Sequence, residues 1–191
     1  MSQTIPQVIE TSRLTLSMLT LNDQSLLFEL DQDVAVTKYI NGGKKTTMEQ
    51  IENVFMPRFK QYYNPQKGHG LWKVSAKDMA GLSSSLENDY LGWILIRPMY
   101  FFNQNRLLNN LEIGWRFKHC TWGQGIATEA AQAIVDLMAT QDEVEFITAI
   151  ADEENIASLK VMEKLGMTFL KKEIFHDPLG DFESVFYQKE L

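Results

Sequence analysis

Two closely spaced glycines between a predicted strand and a predicted helix offer the clearest chemistry in this chain. We call the segment around them the glycine turn; its residues are Trp122, Gly123, Gln124, Gly125, Ile126, Ala127 and Thr128. Glycine adopts positive φ angles without steric cost and lets a ligand approach the backbone closely. The free N–H groups and the dipole of the following helix favour an anion such as a pyrophosphate. The hydroxyl of Thr128 can add one more donor.

A Gly-x-Gly turn alone is weak evidence, because a helix can begin in this way for purely local reasons. Two familiar nucleotide-binding signatures are absent from the chain. Position 128 is threonine rather than the third glycine of G-x-G-x-x-G, and no G-x-x-x-x-G-K-[ST] occurs. The turn is therefore informative only together with the predicted strand before it and the predicted helix after it.

Cysteine and histidine offer little alternative chemistry. Cys120 is the only cysteine and directly follows His119. In an extended segment their side chains point in opposite directions and cannot form a catalytic pair. The three histidines (His69, His119 and His176) also lack the spacing of metal ligands. We therefore expect neither a cysteine nucleophile nor a metal.

The elements predicted around the turn alternate between strand and helix. Strands are predicted over 13–19, 71–76, 90–96, 111–117, 144–150, 167–175 and 182–188, and helices over 23–30, 47–63, 123–140 and 155–165. Thr47 and Gln50 predict a capping box at the start of the second helix. Pro57 predicts a kink or break, Gly166 predicts a helix end, and 77–88 and 103–110 are predicted loops. This order predicts an α/β fold in one domain, 1–191, with a central mixed, mostly antiparallel twisted sheet flanked by helices.

Composition narrows the class of protein. With 25 acidic and 18 basic residues the formal net charge is −7, which argues against a nucleic-acid-binding surface. An acidic surface would suit a cationic substrate. No apolar run is long enough to cross a membrane, and residues 1–10 show no signal peptide. The single cysteine fits a reducing compartment, so we expect a cytoplasmic protein without nucleic-acid or membrane partners.

Five segments of the chain follow one family pattern. Two of them are E-I-G-W at 112–115 and W-G-Q-G-I-A-T-E-A at 122–130. The others are E-T-S-R-L-T-L at 10–16, D-V-A-V-T-K-Y-I at 33–40 and N-I-A-S-L-K-V-M-E-K-L-G-M at 155–167. Together they resemble the Gcn5-related N-acetyltransferases (GNAT), and most closely the branch of the ribosomal-protein N-terminal alanine and serine acetyltransferases. The resemblance covers nearly the whole chain. It is specific for fold and cofactor, and much less so for the substrate.

The resemblance implies that acetyl-CoA donates an acetyl group to a primary amine. In this family the strand before the turn splays from its neighbour, and the cofactor inserts there as if it were a strand. The backbone of Trp115, Arg116 and Phe117 would then pair with the pantetheine amides. A backbone N–H in this stretch would support the developing oxyanion. The amine attacks directly in a ternary complex, without a covalent enzyme intermediate.

The resemblance also implies roles for three polar residues. Glu112 matches the family's glutamate on this strand and is the candidate general base, acting through a water; the alternative is a strand-end carboxylate without a catalytic part. Asn155 and Ser158 begin the last helix one turn apart, so both can face the cofactor. Asn155 also suits a helix N-cap. Ser158 would donate to the leaving sulfur or bind the pantetheine arm; the alternative is a small packing residue.

The chain departs from the family pattern at two positions. Cys120 stands where many relatives have Arg or Gln, and Met162 where many have the Tyr that protonates the thiolate. Ser158 or water would then have to protonate the sulfur, or the thiolate leaves unprotonated. Three lysines are candidate contacts for the CoA phosphates, of which we expect one to be used: Lys118, Lys160 and Lys164.

The sequence leaves three functions open. Acetylation of a protein N-terminus and of a small amine use the same cofactor machinery. The third function, a non-catalytic acyl-CoA-binding sensor, is favoured by Met162 and opposed by the presence of Glu112, Asn155 and Ser158. The loop 41–43 is a candidate acceptor-side loop, and we expect a monomer or homodimer. Five aromatic residues are candidates for an acceptor pocket, although most are expected in the core: Tyr39, Trp72, Trp93, Trp115 and Trp122.

Overall fold

A single sheet of eight strands runs through the computed structural model, which describes residues 4–78 and 88–191. The strands are β1 (Val8–Glu10), β2 (Leu14–Met18), β3 (Gly70–Ala76), β4 (Tyr90–Met99), β5 (Leu107–Phe117), β6 (Phe146–Ala151), β7 (Thr168–Asp177) and β8 (Gly180–Glu190). Their order across the sheet is β1-β2-β3-β4-β5-β6-β8-β7. Neighbouring strands are antiparallel, except that β5 and β6 run parallel. The predicted mixed, mostly antiparallel sheet is confirmed.

Helices cover both faces of this sheet. They are α1 (Gln24–Leu30), α2 (Val34–Asn41), α3 (Met48–Gln50), α4 (Met56–Tyr62), α5 (Ile126–Met138) and α6 (Ile156–Lys164). A π-helical turn, Ile51–Phe55, joins α3 to α4. Thr47 and Gln50 form the predicted capping box at the start of α3. Pro57 lies in the first turn of α4, so the predicted interruption takes the form of the π-helical turn before it.

Two hydrophobic clusters, one on each face, hold the helices to the sheet. The larger cluster joins α5 and α6 to β2–β6, with Trp72 and Ile113 among its buried members. The smaller cluster packs α1 and the α3–α4 region against β3 and β4, with Phe59 at its centre. Because alternate side chains of a strand point to opposite faces, Ile113 faces α5 while Glu112 and Arg116 lie on the α1–α4 face.

Several element bounds differ from the sequence prediction. β5 begins at Leu107, so residues 107–110 belong to a strand and not to the predicted loop. The sequence did not predict this part of the strand because Asn110 is polar. In the structure the side chain of Asn110 accepts a hydrogen bond from Thr148 at 2.9 Å. Strand β1 lies outside the predicted strands, and α2 lies on the segment 33–40, which the family resemblance aligns with a helical hairpin. Most of the predicted 77–88 loop lies outside the described residues.

Within the described parts of the chain, no helix is both long and apolar enough to cross a membrane.

Candidate functional site

The two parallel strands β5 and β6 separate in the middle of the sheet. They pair over three residues only, ending where Glu112 lies opposite Thr148. Beyond that point β5 continues along β4, and β6 continues along β8. Among the described residues, the side of β5 that faces β6 thus has no strand partner from Ile113 to Phe117. We call these residues, 113–117, the open edge; they offer backbone groups to an extended ligand.

A cavity of about 630 Å³ occupies the gap between the separated strands. One side is the open edge, and the other is β6 from Ala149 to Ala151. The glycine turn lines one end of the cavity, and α6 and α2 complete its walls. The gap between β5 and β6 and the glycine turn therefore belong to one continuous site.

The glycine turn presents unpaired backbone donors to this cavity. Gly123 and Gly125 both have φ of +75°, which an ordinary side chain disfavours. The first α5 residue whose N–H bonds to the turn is Glu129, which donates to the carbonyl of Gly125 at 3.0 Å. From Gly123 to Thr128, no backbone N–H has an acceptor among the described residues. This row of donors at a helix N-terminus fits an anion such as pyrophosphate.

The glycine turn is fixed in place by the loop between β1 and β2. Glu129 accepts hydrogen bonds from the hydroxyls of Thr11 (2.5 Å) and Ser12 (3.0 Å). It also accepts from the N–H (3.0 Å) and the Nε (2.6 Å) of Arg13. Arg13 additionally donates from Nη1 to the carbonyl of Gln124 at 2.9 Å. Although burial alone raises the pKa of Glu129, these donors lower it to about 2.

We expect Glu129→Gln to lower the free energy of unfolding at pH 7 by about 2 kcal/mol, because charge-assisted hydrogen bonds are lost. The folded-state pKa of Glu129 lies below its ordinary value of 4.5, so this stabilisation is complete above pH 4.5 and is lost as the pH falls towards 2. The difference between wild type and variant should therefore shrink over that interval. Urea unfolding at several pH values measures it.

A matched control is Glu143→Gln, which removes an ion pair with Lys67 whose side chains are 49% and 55% exposed. This control should cost less than about 0.5 kcal/mol. Burial also lowers the pKa of His69 to about 4, so every variant loses stability in acid and only the difference from wild type reports Glu129. A difference that stays constant from pH 7 to pH 2 would contradict the assignment.

Glu112 lies at the point where β5 and β6 separate, but it does not line the cavity. Its two carboxylate oxygens accept hydrogen bonds from Nε and Nη2 of Arg97 on β4, at 2.8 and 2.9 Å. Both residues are at least nine-tenths buried, and Tyr62 and Phe102 lie over the guanidinium. Burial raises the pKa of Tyr62 to about 12. Burial also opposes the charge of Arg97, yet Glu112 outweighs it and raises the pKa of Arg97.

The start of α6 lies on the cavity. Asn155 caps the helix by accepting a hydrogen bond from the N–H of Ser158 at 3.2 Å, and both residues line the cavity. Met162 also lines the cavity and is 1% exposed. Its thioether thus occupies the position at which many relatives have the hydroxyl of a tyrosine. Lys160 and Lys164 line the cavity, too. Lys118 does not; it binds Glu29 at 2.5 Å.

Most of the residues predicted to hold the cofactor line the cavity: Trp115, Arg116, Phe117, Trp122, Gly123, Gly125, Ile126, Ala127, Thr128, Asn155 and Ser158. Gln124 does not, because its side chain donates to the carbonyl of Cys120 at 3.0 Å. The indole of Trp122 donates to the carbonyl of Phe117 at 3.0 Å and so joins the glycine turn to the open edge. Trp72 is fully buried in the core.

The structure offers no cysteine–histidine pair in this region. His119 and Cys120 belong to a 3₁₀ turn, His119–Thr121, and not to an extended segment. The ring of His119 packs edge-on against Trp122, with ring centroids 4.8 Å apart. In the part of the chain that the structure describes, no group of three or more His, Cys, Asp or Glu side chains could hold a metal ion.

Sequence reasoning missed three parts of the site. The contact of Arg13 with Glu129 joins residues 116 positions apart and has no local signature. Arg97 left a weak signal, since a charged residue inside the apolar run 90–102 indicates a buried, paired charge. The third part is the rest of the α2 surface: Val36 and Ile40 line the cavity beside Tyr39, which the sequence had suggested, whereas the predicted loop 41–43 does not.

Comparison with known proteins identifies the family. A model of the acetyltransferase (GNAT) domain matches residues 13–168. The N-acetyltransferase YnaD of Bacillus subtilis (strain 168), itself uncharacterised, is 30% identical over 169 residues, which are 86% of each chain. A GNAT-family acetyltransferase of Bacillus anthracis has a crystal structure with a TM-score of 0.68 and 26% identity, covering 96% of this chain and 98% of that one.

A third similarity concerns the fold alone. The aminoglycoside acetyltransferase AAC(6')-Ib, solved in complex with coenzyme A, is 16% identical with a TM-score of 0.68, and the match covers 93% of this chain and 94% of that chain. The family match spans the open edge, the glycine turn and the start of α6. The chain therefore belongs to the GNAT acetyltransferase family and is an acyltransferase.

Proposed function

We propose that this acyltransferase moves an acetyl group from acetyl-CoA to a primary amine by direct attack in a ternary complex. One observation carries the proposal: the open edge of β5 leads directly to the unpaired N–H groups of the glycine turn within a single cavity. An extended amide-containing arm fits the open edge, and a pyrophosphate fits the glycine turn. The complex of AAC(6')-Ib with coenzyme A supports this use of the fold.

The residues present match the parts of CoA. Backbone N–H groups from Gly123 to Thr128 would hold the pyrophosphate, and Lys160 or Lys164 would add positive charge at the cavity wall. The backbone of Trp115, Arg116 and Phe117 would bind the pantetheine arm. When bound, acetyl-CoA supplies an activated acetyl thioester. In the overall transfer one N–C bond forms, one C–S bond breaks, and the substrate ammonium gives up two protons, one to the sulfur and one to solvent.

We assign the proton transfers to two residues. Glu112 would accept a proton from the amine. A water would relay this proton, because Glu112 lies where β5 and β6 begin to separate but does not line the cavity. Arg97 would hold this carboxylate in one orientation. Ser158 would donate to the leaving sulfur or bind the pantetheine arm, since the buried side chain of Met162 has no proton to give.

We expect Glu112→Gln to lower kcat about tenfold, less than the 10²–10⁴ of a base in direct contact, because a water intervenes. The dissociation constant of CoA should change less than about twofold, since Glu112 does not line the cavity. Steady-state kinetics from pH 6 to 10, with calorimetric titration of CoA and a melting curve, separate these effects. An unchanged kcat throughout this pH range would remove Glu112 as the base.

The function itself is tested by thiol release from acetyl-CoA with a panel of N-terminal peptides and small amines, beside calorimetric titration of CoA. Turnover with any acceptor establishes the enzyme, and the class that reacts separates a protein N-terminus from a small amine. CoA binding without turnover on any acceptor would favour a non-catalytic acyl-CoA-binding sensor. An absence of CoA binding would overturn the proposal.

The proposal also covers the domain and the cellular location of the protein. We place the activity in one domain over residues 1–191, because a single sheet takes its strands from Val8 to Glu190. We also propose a cytoplasmic location, since Cys120 is the only cysteine and has no disulfide partner within the chain.

A further inference from the structure

One wall of the cavity differs in chemistry from the walls that fit CoA. It is formed by side chains of α2 and β4, namely Ala35, Val36, Tyr39, Ile40, Trp93 and Leu95, which we call the acceptor wall. All six are aliphatic or aromatic. Trp93 and Leu95 lie on the α1–α4 face of the sheet, opposite to α5, and are only partly buried. The acceptor wall therefore presents an apolar surface to whatever lies beside the open edge.

Two carboxylates near the open edge already bind guanidinium groups. Asp31, which precedes α2 and is 2% exposed, binds Nη1 of Arg116 and accepts the hydroxyl of Thr46 at 2.7 Å. Glu112 binds Arg97 through both of its oxygens. Neither carboxylate lines the cavity. Pairing with a substrate ammonium would leave a buried guanidinium without its partner, which is costly.

The charge that does reach this part of the cavity is positive. Arg116 lines the cavity, and its guanidinium carbon lies 5.1 Å from the ring centroid of Trp93. Among the described residues, Asp152 is the only carboxylate on the cavity wall, and it lies in the turn before α6. One of its oxygens accepts the N–H of Glu154 at 2.8 Å. A second ammonium near the acceptor wall would therefore meet Arg116, which Asp31 already pairs, and none of the six residues of that wall offers it a carboxylate.

We infer that the acceptor is a primary amine with a single positive charge, carried next to an aromatic or aliphatic group, and not a polycation. This inference rests on the proposed function and names its substrate class. The apolar group packs against Tyr39 and Trp93, while the amine lies beside the open edge near Gly114. The net charge of −7 does not predict a polycation, because the acidic residues of the chain are not gathered on this wall.

The first test compares two classes of primary-amine acceptor. Phenethylamine and a peptide amide with N-terminal phenylalanine represent the apolar class, and spermidine and kanamycin represent the polycations. We expect kcat/KM at least tenfold higher for the apolar class; the better of its two members indicates a small amine or a protein N-terminus. Equal or faster turnover of the polycations would overturn the inference and leave the proposed function standing. No turnover with any acceptor would contradict both the inference and the proposed function. Titration with CoA would then show whether the protein binds the cofactor at all.

The second test changes the charge of the acceptor wall. Ile40 lines the cavity and is 39% exposed, so Ile40→Glu adds a carboxylate there without burying it. We expect the ratio of kcat/KM for spermidine to that for phenethylamine to rise about tenfold, with an unchanged affinity for CoA. Val34→Glu is the matched control, because Val34 is on the same helix, is 55% exposed and does not line the cavity. The same ratio in both variants would overturn the inference.

Discussion

Gly123→Asp is expected to weaken the binding of CoA at least about 100-fold while leaving the fold intact. A Cβ at Gly123 would meet no atom within 4 Å, so the new side chain has room and would enter the cavity that Gly123 lines. Its carboxylate would compete with pyrophosphate for the unpaired N–H groups and repel it. The strain of an aspartate at φ of +75° is small, because Asp tolerates this region better than most residues. Calorimetric titration of CoA measures the effect.

Gly42→Asp is the control for this variant. Gly42 ends α2 with φ of +74°, has nothing within 4 Å of an added Cβ and does not line the cavity. The control thus carries the same backbone strain and the same charge at a distance from the glycine turn. We expect it to bind CoA as wild type does, and both variants to keep the wild-type circular dichroism spectrum. Wild-type affinity in Gly123→Asp would overturn the assignment of the phosphate site.

Arg97→Leu should lower the free energy of unfolding by about 3–5 kcal/mol, because it leaves Glu112 as a buried, unpaired carboxylate. Arg97 and Glu112 are 9% and 8% exposed, and the nearby Tyr62 and Phe102 offer no basic group to replace the guanidinium. The loss is large because the cost lies in the charge left behind rather than in the two hydrogen bonds. Urea unfolding at pH 7 measures the difference.

The double variant Arg97→Leu with Glu112→Leu separates the two causes. When both charged groups are replaced by apolar side chains, we expect most of the lost stability to return, since the desolvation cost disappears with the charges. The double variant should nevertheless acetylate slowly, because it lacks the proposed base. Unfolding energies that fall equally in the single and double variants would show that the two residues stabilise the fold by packing alone.

The sequence predicted the parts of this fold that have a local signature. The alternation of apolar residues, the capping box at Thr47 and the glycine turn each appear within a few neighbouring residues, so strands, helices and the phosphate turn could be located. β5 shows the limit of this approach. Its first four residues were assigned to a loop because Asn109 and Asn110 look like turn residues, yet a partner on β6 satisfies the side chain of Asn110.

The tertiary contacts of the site could not be predicted from one sequence. The position of Glu112 on its strand was foreseen, but its pairing with Arg97 depends on the register between β4 and β5. Similarly, Glu129 was visible only as part of a motif, and its four donors come from a loop more than one hundred residues earlier. The acceptor wall depends on how α2 lies over the open gap, which no local pattern specifies.

The gap between β5 and β6 also concerns the lifetime of the protein in the cell. Beyond Glu112, β1 to β5 form one group of strands and β6 to β8 form another. A ligand that spans the gap replaces the missing neighbour of β5, and only the folded chain can bind it in this way. With CoA as that ligand, a concentration 100 times its dissociation constant would stabilise the fold by about 2.7 kcal/mol. The resistance of this enzyme to proteases would then rise and fall with the acyl-CoA supply of its host.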